Sequence, residues 1–176
     1  MPTYAALLRG VNVGGKAKVP MAQLRAVVES LGFTSVSTYI QSGNVVFTSS
    51  KAVTPKALAA AVAKGFGIDV DVVLRTSAEL QRVVKGNPFS KADTSKVHVG
   101  FMTSKPSAAT LKKIDAERFR PEEFAIRGND LYLHLPNGMG RAKLPPYLDR
   151  QLKIPTTVRN WNTVTKLVQL TKNAAG

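Results

Sequence analysis

VSTYIQSGNVVFT, residues Val36 to Thr48, reads as two strands joined by a turn, and the elements on either side of it decide the fold. Val36 to Gln41 and Asn44 to Thr48 flank Ser42-Gly43, which predicts a two-residue hairpin because glycine accepts the positive φ such a turn requires. Before the hairpin, Pro20 stands where a helix would start, and Met21, Leu24, Val28 and Leu31 recur at helical spacing until Gly32 ends the run. After it, Thr54-Pro55 opens a second helix with Leu58, Ala61, Val62 and Phe66 on its apolar face. One step further out lie the strands Thr3 to Leu8 and Val70 to Leu74. The order is βαββαβ, the split-βαβ pattern of a ferredoxin-like half.

Thr76 and Glu79 have capping-box spacing ahead of Leu80, Val83 and Val84, so a third helix is expected, stopped by Asn87-Pro88. From Lys96 the pattern restarts: strand Val97 to Thr103, helix Ser107 to Ile114, strand Glu123 to Arg127, turn Gly128-Asn129 and strand Asp130 to Leu135. Beyond Pro136-Asn137-Gly138 the chain is less regular, with a short helix expected after Pro146 and a last helix carrying Val164, Leu167, Val168 and Leu170. The expected fold class is α+β. Residues 1–75 form one ferredoxin-like half, 76–95 a bridging helix and linker, and 96–176 a second half with an irregular C-terminal part. TYAALL is apolar on both alternating faces, so the two halves are expected to pack into one compact body.

The chain has 176 residues, 44% of them hydrophobic, which is enough to bury a proper core. No apolar stretch approaches the ~20 residues needed to span a bilayer, and MPTYAALLRG lacks the basic start and apolar run of a signal peptide, so a cytoplasmic protein without membrane contact is expected. The absence of cysteine removes disulfides and thiol chemistry, and with His98 and His134 as the only histidines neither a metal site nor a cofactor is expected. Net charge is +14. Glu29 is the only acid before Asp69, and from Arg141 onward seven basic residues face Asp149 alone. Such a distribution fits a polyanionic partner, and it equally fits a plain basic surface.

RGVNVGGKAK, Arg9 to Lys18, places three glycines and three cations within ten positions, between the first strand and the first helix. Glycine lets backbone N–H groups approach a ligand, and the cations supply charge, so Arg9, Gly10, Asn12, Gly14, Gly15, Lys16 and Lys18 are candidate anion-binding residues. The alternative is an ordinary long connection. GVNVGGKA has the Gly-x4-Gly-Lys spacing of a P-loop, yet Ala17 stands where Ser or Thr should hold Mg²⁺ and the helix starts only near Pro20. No aspartate ends a second apolar strand in the first half either, so P-loop hydrolysis is not supported.

VRNWNTV, Val158 to Val164, precedes the last helix. Asn160 or Asn162 can cap that helix, Arg159 can reach an anion at its N-terminus, and Trp161, the only tryptophan, either stacks on a ligand ring or fills a seam. His98, Tyr132 and His134 alternate with apolar residues on strands expected to be neighbours, so the three are expected on one face, as ligand contacts or as satisfied structural groups. Gln41, Ser42 and Asn44 at the hairpin offer neutral hydrogen bonding, either to a ligand or to the turn itself.

Five stretches carry a family resemblance: ALLRGVNVGGKAKVPM (Ala6 to Met21), TYIQSGNVVF (Thr38 to Phe47), NPF (Asn87 to Phe89), LYLHLPNGMG (Leu131 to Gly140) and TTVRNWNTVTKL (Thr156 to Leu167). With them the chain resembles the bacterial domain of unknown function 1697 family from end to end. The resemblance implies a pair of ferredoxin-like subdomains and no established activity, so it lends no catalytic residue. Three functions remain open: a module binding a phosphate-containing small molecule or nucleic acid, a small enzyme acting on a phosphorylated metabolite with His98 or His134 moving a proton, and a structural or partner-binding protein. Oligomeric state is not legible.

Overall fold

The computed structural model describes residues 1–175. Its elements run β1 (Thr3–Leu8), α1 (Met21–Ser30), β2 (Thr34–Tyr39), β3 (Asn44–Thr48), α2 (Pro55–Phe66), β4 (Val72–Thr76), α3 (Ser77–Lys85), β5 (Val97–Met102), α4 (Ala108–Lys112), β6 (Glu123–Arg127), β7 (Asp130–His134), α5 (Leu144–Leu152), β8 (Thr156–Asn160) and α6 (Trp161–Ala175). The fold is mixed α+β, with two four-stranded antiparallel sheets of order β2-β3-β1-β4 and β6-β7-β5-β8. No described helix is long and apolar enough to cross a membrane. The chain divides into two units, Met1–Arg82 with the segment from Lys166 onward, and Val83–Thr165.

In the first unit, β1 lies between β3 and β4, pairing Ala6 with Val45 and with Leu74. Because side chains alternate, Ala6, Leu8, Val45, Phe47 and Val72 share one face, and Leu24 and Val28 of α1 with Leu58 and Val62 of α2 bury against it. Phe33 stacks on Phe47 at 4.6 Å between ring centroids. The Thr54 hydroxyl accepts from the Ala57 N–H and caps α2, which ends on Gly67 at φ 67°. The capping box ahead of α3 is formed in both directions: the Thr76 N–H donates to Glu79 Oε2 (2.7 Å) and the Glu79 N–H to Thr76 Oγ1 (3.2 Å).

The hairpin differs from its expected form. β2 ends at Tyr39, which pairs with Asn44, so the loop has four residues, Ile40 to Gly43, with Ile40 at φ 49° and Gly43 at φ 82°. Gly43 is required on two counts. A Cβ there would fall 2.6 Å from Val11 Cγ2 and 2.9 Å from Leu8 Cβ, and the φ is one that side chains resist.

In the second unit β5 is an inner strand, between β7 and β8, as β1 is between β3 and β4. Met102, Leu131 and Leu133 on one face pack with Leu144, Tyr147, Leu148 and Leu152, the apolar stripe of α5. α5 starts at Leu144, two residues before Pro146, because proline is tolerated in a first helical turn. The irregular tail holds a further strand, β8, which completes a sheet with the same connectivity as the first.

Candidate functional site

The loop from Arg9 to Pro20 is built around a tight turn and one asparagine. Val13 and Lys16 form an isolated antiparallel bridge, the Lys16 N–H donating to the Val13 carbonyl at 3.0 Å, with Gly14 and Gly15 both at positive φ between them. Two successive positive φ values are the signature of a type I′ turn, which explains the paired glycines. Asn12, itself at φ 56°, closes the base. Its Nδ2 donates to the Val19 carbonyl (2.9 Å) and the Gln41 carbonyl (2.7 Å), and its Oδ1 accepts from the Val19 N–H (2.8 Å). Buried Val11 and Val19 anchor both limbs.

The N–H groups of Leu8, Arg9, Asn12, Lys16 and Val19 are engaged internally. Lys16 and Lys18 are exposed, and Arg9 stands 3.7 Å from the Asp71 carboxylate across solvent-exposed surface. Val13 and Ile40 are exposed apolar side chains on the two loops that Asn12 ties together. The hairpin residues serve the turn: Asn44 is fully buried and its Nδ2 donates to the Tyr39 carbonyl and to Ser42 Oγ, each at 2.9 Å. Gln41 contributes its carbonyl to Asn12.

Arg159 lies in β8, buried, its Nη1 donating to Thr157 Oγ1 (2.6 Å) and to the Val158 carbonyl (3.1 Å). Burial pushes its guanidinium down to about 10, still charged at neutral pH. Asn160 caps α6, its Oδ1 accepting from the Thr163 N–H at 2.8 Å, and half-buried Trp161 is the first residue of that helix. Arg75 holds the matching position in the first unit. Arg75 pairs with Ala5 and Arg159 with Val99, each the third residue of the inner strand, and Arg75 Nη1 likewise donates to the carbonyl before it (Leu74, 3.0 Å). In both units the next residue caps a helix. This duplicated pair was not singled out from sequence, although LRT at Leu74 to Thr76 and VRN at Val158 to Asn160 carry it.

The histidines do not gather. Val99 faces Tyr132 and Val97 faces His134, whereas His98 pairs with Leu133, so His98 projects from the opposite side of the sheet from Tyr132 and His134. His98 Nδ1 is buried without a hydrogen-bond partner, and desolvation lowers the imidazole below its usual range. The Tyr132 hydroxyl donates to the Val83 carbonyl at 2.7 Å, and burial pushes it up to about 12. His134 stacks on Phe89 (5.5 Å), and its Nδ1 lies 3.9 Å from Glu123 Oε1, its direct cross-strand neighbour. Asn87 Oδ1 accepts from the Phe89 N–H (2.9 Å), fixing NPF beside His134.

Sheet order, edge-strand arginines and the stapled glycine loop define an internally duplicated α+β protein with a basic loop after its first strand. The chain belongs to the family described as protein of unknown function (DUF1697), whose model matches residues 1–132. A similar solved structure is that of the conserved bacterial protein SP0830 from Streptococcus pneumoniae, at 24% identity and a TM-score of 0.72, covering 96% of this chain and 98% of that one. That likeness establishes the fold. No match was found among curated proteins.

Proposed function

We propose that the protein is a binding module for a phosphate-bearing ligand, nucleotide or nucleic acid, held at the Arg9 to Lys18 loop, and that both units are ferredoxin-like plaits. The connectivity β2-β3-β1-β4, repeated as β6-β7-β5-β8, supports the second statement. One observation carries the first. Asn12 fixes the base of a loop whose exposed side chains include Lys16, Lys18 and Arg9, so the ordering cost of assembling a cationic surface is met before a ligand arrives. Exposed Val13 and Ile40 add apolar contact area for a sugar or base.

Retention on heparin and fluorescence anisotropy of a labelled RNA, each across a salt series, test this reading. Arg9→Ala, Lys16→Ala and Lys18→Ala combined should weaken binding and flatten its dependence on salt, because each lost phosphate contact releases fewer counterions. Unchanged affinity and slope would exclude the loop. A second reading, a small enzyme, draws on Glu123 and His134, where a carboxylate beside an imidazole has the makings of a proton-transfer pair. His134→Gln separates the two readings, since it removes turnover and leaves RNA binding untouched.

A further inference from the structure

The second unit contains a cleft of about 530 Å³ lined by Arg118, Phe119, Ala142, Lys143, Pro146 and Arg150. We propose that this cleft binds a nucleoside polyphosphate, independently of the loop at Arg9 to Lys18.

Three cationic side chains and no acid line it. The carboxylates nearby are held by other groups, Glu122 at the edge of the cleft and Glu117 by Arg120. Glu122 accepts from the backbone N–H groups of Lys143 (3.0 and 3.3 Å) and Leu144 (3.0 Å), and Glu117 pairs with Arg120 at 2.8 Å. Among the described residues neither Arg118, Lys143 nor Arg150 has an ion-pair partner, so their charge is available to a ligand. Arg118 is also held in position: its guanidinium carbon sits 4.9 Å from the Phe119 ring centroid and 4.7 Å from that of Tyr147. The two rings are 4.6 Å apart, and the Tyr147 hydroxyl is fixed in turn by the Asp115 N–H at 2.8 Å. A guanidinium fixed over aromatic rings keeps its forked donors for a phosphate and loses little freedom on binding.

The remaining wall is apolar. Phe119, Ala142 and Pro146 offer a surface for a base and sugar, and the volume falls in the range of small-molecule sites, well above what a lone phosphate needs. A second cleft of about 520 Å³ shares Arg150 and adds Lys113 and Lys153 to the positive lining. Concentrated charge beside an apolar wall matches a ligand that is itself divided, with a polyphosphate at one end and a ring system at the other.

Equilibrium dialysis of the full chain against labelled ATP at low salt, with adenosine, pyrophosphate and a short labelled RNA as comparators, decides the matter. ATP should bind more tightly than adenosine or pyrophosphate. Arg118→Ala and Arg150→Ala should each weaken it by about tenfold or more, as expected for loss of a charge-assisted contact. ATP binding that persists in Arg9→Ala with Lys16→Ala belongs to the cleft and should be weakened further by Arg118→Ala or Arg150→Ala, whereas ATP binding lost with the loop variant alone counts against the cleft, so failure of the loop reading and failure of this one are distinguishable. Should Arg118→Ala fold poorly by circular dichroism, Lys143→Ala and Arg150→Ala, both on exposed side chains, carry the test. Absence of ATP binding at millimolar concentration, equal affinity for pyrophosphate, or variant-sensitive binding of RNA alone would each overturn the proposal.

Discussion

Asn12 and Gln41, 29 positions apart, are joined by a 2.7 Å hydrogen bond from the amide of one to the backbone carbonyl of the other. The bond makes the glycine loop and the β2-β3 hairpin one structural element. Asn12→Ala removes it together with both bonds to Val19, and places alanine at a φ of 56°. The expected cost is about 1–3 kcal/mol. For a chain of this size that lowers Tm by about 2–4 °C per kcal/mol, measurable by calorimetry. Asn12→Asp keeps the acceptor for the Val19 N–H and loses the donors, so it should fall between wild type and Asn12→Ala. Equal melting of all three would show that the staple is not needed.

Gly43→Ala should destabilise by about 1–3 kcal/mol, since the added methyl overlaps Val11 and Leu8 in a backbone conformation that resists side chains. Trimming the neighbour gives the sharper check. Val11→Ala in the Gly43→Ala background should recover part of the loss, giving a non-zero coupling energy in a double-mutant cycle. Strict additivity would mean that the φ of Gly43, and not the contact, carries the cost.

His98 sets a pH dependence whose sign follows from burial. Its folded pKa is lowered from 6.5, so as pH falls through 6.5 the unfolded chain takes up a proton that the folded chain does not. The His98 contribution is therefore fully present above the unfolded pKa and is lost on acidification below it. His98→Leu should flatten that part of the stability curve, since its neighbours on the same sheet face include Leu131, Leu133 and Met102. Denaturant titrations between pH 5 and 8 report it, and an unaltered slope in the variant would assign the acid loss to other groups.

Tyr132→Phe deletes the donor to the Val83 carbonyl in a buried setting. A loss of about 1–2 kcal/mol is expected, with the sheet otherwise intact. Hydrogen exchange should show faster opening around α3 and β7, and unchanged protection at both would argue that the carbonyl finds another partner.

Most helices and seven of the eight strands are legible from apolar periodicity, because each has one side packed on a core. The exceptions have physical causes. TTVRN lacks the apolar alternation of a strand: its buried residues are Thr157 and Arg159, whose polar atoms satisfy each other, so β8 reads as loop. Ile40 at φ 49° is a β-branched residue where glycine or asparagine is expected, so the hairpin reads two residues too short. Period-two reasoning correctly separates the faces within β5 and within β7. It cannot set the phase between strands that no hairpin joins, so the expectation that His98 shares a face with Tyr132 and His134 fails. The loop was visible as a cluster of glycines and cations. Its organising residue was visible only as an asparagine, a type that tolerates αL and bonds to nearby backbone.

The discontinuity of the first unit bears on how the chain is made. Residues 83–165 form their unit from one unbroken stretch, whereas the unit containing β1 also draws on the segment from Lys166 onward, where the Ala174 carbonyl accepts from the Thr48 hydroxyl at 3.5 Å. During vectorial synthesis residues 83–165 emerge before the segment from Lys166 onward, so the first unit gains that segment only after the whole of the second has been made. The first unit is thus closed by a segment that lies beyond the whole of the second along the chain.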